Sequence, residues 1–200
     1  MSFGGSCIGL PELAEYTNCE VTMGLTLAEF CRQLDGYDER VPLDELETLV
    51  SELVISPEEV EPYLQFNEKG YQRNLVHEGP ACQVLMLCWL NGQRSPIHDH
   101  VGSSCAVRVI EGSLLETVFE HGENGMIYAT HSNALEEGQI CGSQDSDIHQ
   151  VSNLQDDHRR LVTMHVYSPP LMTMNVYSLT DAEVKQFFDP VHELMYGAGI

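Results

Sequence analysis

The spacing of apolar positions along the chain changes near residue 71. Ahead of that point it is helical. Thr26-Leu27-Ala28-Glu29 forms a capping box, and Leu27, Phe30, Cys31 and Leu34 follow at i, i+3, i+4 and i+7, which predicts an amphipathic helix. A second helix is expected after Pro42, with Leu43, Leu46, Val50 and Leu53 on one stripe, and Ser56-Pro57-Glu58-Glu59 opens a short third that Pro62 interrupts. Beyond residue 71 come short apolar or alternating runs separated by Gly, Asn, Asp and Ser: 83–90, 105–111, 114–120, 126–129, 148–152, 161–167 and 171–179. Runs of that length and spacing predict a mainly β, antiparallel sandwich or barrel. A last capping box, Thr180-Asp181-Ala182-Glu183, predicts a C-terminal helix over 180–189 that carries Val184, Phe187 and Phe188 across the barrel.

No linker, repeat or low-complexity tract interrupts this order, and 200 residues with 42% hydrophobic content suffice for one core. A single domain over 1–200 is expected, with a helical part over 1–65, a barrel over 71–179 and the closing helix. The 31 acidic residues against 9 Lys plus Arg give a formal charge of -22, which opposes phosphate backbones and anionic lipids. Neither nucleic acid nor membrane is therefore an expected partner, and a monomer is expected. Residues 1–13 lack a cationic start, and no run of about 18 apolar residues occurs, so a cytoplasmic location is expected. Seven cysteines, an odd number with no CxxC pair, read as reduced thiols.

The chemistry concentrates in Gly92-Gln-Arg-Ser-Pro-Ile-His98-Asp-His100, where two histidines one residue apart on a strand project to the same face. On their own they read equally as metal ligands or as polar residues at a strand edge. About fifty residues on, Ile148-His149-Gln-Val-Ser-Asn153 offers a third histidine in another short strand.

The spacing Gly92, five residues, His98, one, His100, four, Cys105, six, Gly112, and then Gly138, ten residues, His149, three, Asn153, resembles the cupin superfamily. That resemblance implies a cupin-type antiparallel β-barrel or jelly roll with N-terminal helices. Two positions depart from the usual motifs. Cys105 stands where most cupins carry a ligating glutamate, and Gln144 and Ser146 replace the proline and glycine of the second motif. Without the glutamate, three neutral imidazoles leave open positions on a metal, whereas a structural zinc site is normally closed by a fourth protein ligand.

With Tyr71-Gln-Arg73-Asn-Leu-Val upstream and Thr163-Met-His165-Val-Tyr167-Ser-Pro-Pro170 downstream, the chain is similar to the cysteine dioxygenase (type I) family over about 71–170. Residue by residue, the resemblance implies that His98, His100 and His149 hold Fe(II) and that Arg73 binds the substrate carboxylate, with Tyr71 nearby. A guanidinium suits a carboxylate because its planar fork donates two parallel hydrogen bonds. Cys105 and Tyr167 match the pair that the family joins through a thioether. Thr163, His165 and Tyr167 alternate on one strand face and match the family's Ser-His-Tyr relay, with threonine in the serine position. The implied reaction takes L-cysteine and O2 to cysteine sulfinic acid, past sulfenic acid on the oxidation ladder. The rival readings are a 3-mercaptopropionate dioxygenase, whose relatives usually lack the arginine and the cross-linking cysteine, a non-catalytic metal-binding cupin, and a metal-dependent cupin isomerase, which would want the missing glutamate.

Overall fold

A computed structural model describes residues 24–188; residues 1–13, Cys7, Cys19 and His192 lie outside them. Three helices come first: α1 (Leu27–Leu34), α2 (Leu43–Glu52) and α3 (Pro57–Val60), the last running into a 3-10 turn over Glu61–Tyr63. Thr26 and Ser56 each form the capping box their sequences predict, and Pro42 is the N-cap of α2.

Eleven strands follow: β1 (Gln72–Glu78), β2 (Gln83–Trp89), β3 (Ile97–His98), β4 (Ser104–Glu111), β5 (Ser113–His121), β6 (Ile127–Glu136), β7 (Ile140–Gln144), β8 (Ile148–Ser152), β9 (Leu161–Ser168), β10 (Thr173–Tyr177) and β11 (Lys185–Phe188). They make two antiparallel sheets, one ordered β1-β2-β9-β4-β7 and the other β11-β10-β3-β8-β5-β6. The mainly β architecture, two antiparallel sheets with helices ahead of them, agrees with the sequence expectation.

Alternation along β2 and β9 explains how the layers stack. Val84, Met86, Cys88, Val162, Met164 and Val166 face the helices and join Phe30, Leu34, Leu46 and Val50 in one core. The intervening Leu85, Leu87, Trp89 and Leu161 face the other sheet, where they meet Leu114, Val151 and Met174. Both faces of these central strands are thus covered, and β2 is buried throughout, as its unbroken apolar run suggests. Thr163, His165 and Tyr167 fall in the inward row of β9 and carry polar groups into this second core.

Motif residues brace the frame. Gly112 sits at φ +88, and a Cβ there would lie 2.6 Å from the Arg160 carbonyl oxygen, so no other residue fits without displacing backbone. The buried Asn153 side chain donates to the carbonyls of Trp89 and Arg159 at 3.2 and 2.9 Å, tying the end of β8 to its neighbours.

Of the C-terminal helix expected over 180–189, residue 189 lies outside the described residues, and over 180–188 no helix is formed. Ser178 Oγ accepts from the Thr180 amide and Asp181 Oδ1 accepts from the Glu183 amide, so the capping residues build turns instead. Lys185–Phe188 then pairs antiparallel with β10 as an edge strand, Phe188 opposite Thr173. An open sheet edge satisfies the backbone of these residues without a helix.

Candidate metal centre

His98 ends β3 and His149 lies on β8; the two are direct cross-strand partners in the six-stranded sheet. His100 follows in the loop after β3, where its amide donates to the Asp145 carbonyl at 3.0 Å. Between the two histidines, Asp99 is buried and points away to β10, accepting from the Asn175 amide, Asn175 Nδ2 and Tyr177 Oη at 3.0, 2.8 and 2.7 Å. That clamp fixes the backbone from which both rings project.

The three rings converge. Each offers a nitrogen within 4.8 Å of the others, and all three are buried. Their centroids are 4.8 Å apart for His98 and His149, 4.9 Å for His100 and His149 and 5.4 Å for His98 and His100. His98 Nδ1–H donates to the Pro96 carbonyl at 3.0 Å and His149 Nδ1–H donates to Glu116 Oε1 at 2.7 Å, which leaves the Nε2 lone pair of each ring as its ligating position. His100 Nε2 lies 3.4 Å from Ser143 Oγ, and its Nδ1 is buried with no hydrogen-bond partner among the described residues.

Burial first, then repulsion from the neighbouring histidines and last from Arg73, keeps His98 and His100 uncharged. His98 is pushed down to about 3, and His100 lies well below the ordinary histidine value. Three buried, convergent imidazoles with an orphaned ring nitrogen are the donor set that a divalent transition metal satisfies.

The opposite sheet supplies the rest. Arg73 on β1 is only 9% exposed, and its guanidinium carbon lies 5.7 Å from the centre of the Tyr167 ring. Its charge contributes to holding down His98, His100 and His165. Cys105 on β4 and Tyr167 on β9 are direct cross-strand partners. Burial pushes the Cys105 thiol up to about 12, against the opposing pull of a hydrogen bond from Tyr167 and of Arg73. Tyr167 reaches across to the histidines, its ring centre 6.3 Å from that of His100.

A hydrogen-bonded row runs down β9. Tyr167 Oη lies 3.2 Å from His165 Nδ1, and His165 Nε2 lies 2.9 Å from Thr163 Oγ1. Trp89 Nε1–H donates to the same Thr163 oxygen at 3.0 Å, and the Trp89 ring stacks on Tyr71 with centroids 4.1 Å apart. Ring contacts, hydrogen bonds and strand pairing thus link the candidates named from the sequence across the two sheets.

Two participants had no motif to reveal them. Trp89 is the cap of the β9 row, and Glu116 on β5 is the hydrogen-bond acceptor of His149. Glu116 did leave one trace in the sequence, as an acidic residue two positions from Leu114 and so in the same inward row of an alternating strand.

The described residues contain no helix long and apolar enough to cross a membrane. Comparison with known proteins gives a concordant result. A protein described as "Cysteine dioxygenase type 1" from Homo sapiens is 33% identical over 166 residues, covering 79% of this chain and 82% of the relative. One of the same description from Danio rerio is 28% identical over 165 residues, with the same coverage. Among solved structures, an uncharacterized conserved protein with a double-stranded beta-helix domain from Klebsiella pneumoniae aligns with a TM-score of 0.47 and 18% identity, over 60% of this chain and 94% of that one. The family model "Cysteine dioxygenase type I" matches residues 17–180, and with the human relative at that identity the chain belongs to the cysteine dioxygenase type I family.

Proposed function

We propose that the protein is an iron-dependent thiol dioxygenase that converts L-cysteine and O2 to cysteine sulfinic acid. The observation that carries this reading is the buried Arg73, its guanidinium carbon 5.7 Å from the ring of Tyr167, which pairs with Cys105 and whose centre lies 6.3 Å from His100 of the three-histidine cluster. Balanced, the reaction adds O2 to the thiol, RSH + O2 → RSO2H, with no external reductant.

His98, His100 and His149 would hold Fe(II), and iron bound there supplies the open coordination positions and redox chemistry that bring thiolate sulfur and O2 together. Arg73 receives the substrate carboxylate. A buried guanidinium among neutral rings gains from an anion, and its fork fixes the carboxylate in two directions, which orients the amino acid's sulfur. Tyr71, stacked on Trp89, borders that end of the site.

Thr163 Oγ1 already accepts from Trp89, so its own hydrogen is available to His165 Nε2. His165, kept neutral by burial and by Arg73, then carries its single proton on Nδ1, toward Tyr167 Oη. The row thereby fixes the Tyr167 oxygen at the edge of the reacting space, where it orients oxygen and sulfur.

Cys105 Sγ and a Tyr167 ring carbon would form a thioether, a reading that their cross-strand pairing supports. The step loses the thiol hydrogen and one ring hydrogen and passes two electrons and two protons to O2. Enzyme supplied with Fe(II), L-cysteine and isotopically labelled dioxygen is expected to yield sulfinate with both oxygens labelled. Sulfinate carrying a single label contradicts the dioxygenase assignment.

A further inference from the structure

Glu116 occupies an inward position on β5 beside the buried Leu114, where an apolar residue would pack without cost. Its opposite neighbour on β8 is Val151, and His149 pairs with Val118, so Glu116 and His149 are diagonal neighbours on the same sheet face. Glu116 Oε1 accepts from His149 Nδ1 at 2.7 Å, and the carboxylate is nearly buried.

The three rings are supported unequally. His98 leans on a neutral backbone carbonyl and His100 faces a serine hydroxyl at 3.4 Å; His149 is hydrogen-bonded to an acid. Glu116 and His149 also border a cavity of about 530 Å3, shared with Ser143, Asp147, His121 and His131, which is roomy enough for water to satisfy the rest of the carboxylate.

We propose that Glu116 is a positioning residue of the metal centre: it holds His149 in the Nδ1-protonated form and lends negative charge, at one remove, to an otherwise neutral ligand set. A carboxylate accepting from a ligating imidazole orients the ring and strengthens its donation to the metal. The charge also favours the more oxidised state of the ion. Glu116 thus compensates for the carboxylate ligand that Cys105 displaces. The inference rests on His149 being a ligand.

The test measures Fe(II) affinity of the metal-free protein by chelator competition, and the ferric/ferrous midpoint potential, for the wild type, Glu116→Gln and His149→Ala. Glu116→Gln keeps the shape and removes the charge; it is expected to weaken Fe(II) binding by about 10–100-fold and to shift the potential positive. Binding within about threefold of wild type and an unmoved potential would overturn the role of Glu116. If His149→Ala also retains wild-type affinity, the ligand assignment fails with it; if His149→Ala loses the metal and Glu116→Gln does not, the role of Glu116 alone fails. Nitrogen NMR of the metal-free wild type requires no variant: His149 protonated at Nδ1 is expected, and protonation at Nε2 contradicts the proposal.

Discussion

Cys105 on β4 and Tyr167 on β9 stand directly opposite each other in an antiparallel pair, both buried. Side chains so placed have Cβ atoms about 4.5–5.5 Å apart, within reach of a bond between a cysteine sulfur and a tyrosine ring edge. They stand 62 positions apart in sequence, and strand register brings them together.

The thioether that this register permits has a direct mass signature. Protein that has turned over in the presence of iron and O2 is expected to include a form two hydrogens lighter than the sequence mass, absent from Cys105→Ser. Intact-mass spectra with no lighter form after turnover would refute the cross-link and leave the rest of the account standing.

Arg73→Gln removes the buried cation and retains much of the side-chain volume. Cysteine use is expected to fall by about 100-fold or more in kcat/KM, as for a lost charge-assisted anchor of roughly 3 kcal/mol, with bound iron unchanged. Steady-state kinetics with parallel iron analysis checks this. Loss of iron would mean that the guanidinium supports the metal centre rather than the substrate.

Thr163 separates the hydroxyl from the methyl. Thr163→Val leaves the Trp89 indole N–H and His165 Nε2 buried without their partner, at about 1–3 kcal/mol for each group. Both stability and turnover should drop. Thr163→Ser retains the hydroxyl and should stay close to wild type in turnover; thermal unfolding beside activity distinguishes the two, and a fully active valine variant would exclude the relay.

Metal-free protein should be acid-sensitive. His98, His100 and His165 are held neutral in the fold, with His98 pushed down to about 3, whereas the same rings in the unfolded chain take protons near 6.5. Above about 6.5 neither state is protonated and the full stability is present; as pH falls from there, the unfolded chain gains protons that the fold refuses. Each ring then costs up to about 1.4 kcal/mol per pH unit. Melting temperatures from pH 8 to pH 5 should decline once pH drops below about 6.5. A flat or rising profile would show that the rings are not buried as described.

Where the sequence was legible, a side chain carried two signals at once. Thr26 and Ser56 announced helix starts because each had both a capping partner three residues on and an apolar stripe or proline beside it. The histidines were legible because alternation and turn spacing constrain which residues share a strand face. The misses have physical causes. The half-buried β1 has no clean alternation, β3 is two residues long, and β7 contains Gly142 and polar residues. Strand β6 continues well past 129, but residues 128–134 are exposed on both faces, so no alternation marks it in the sequence. Thr180 to Glu183 misled because the same side-chain acceptors that cap a helix also close turns, and only the three-dimensional structure reveals the free edge of β10. Glu116 stayed hidden because its partner lies 33 residues away on a neighbouring strand.

The most direct test follows oxygen consumption by the iron-loaded protein over a panel of thiols. L-cysteine should be used in preference to 3-mercaptopropionate and other thiols lacking an α-carboxylate and amine, with one O2 consumed per cysteine sulfinate formed. Turnover confined to 3-mercaptopropionate, or no thiol-dependent oxygen uptake with iron bound at the three histidines, would contradict it.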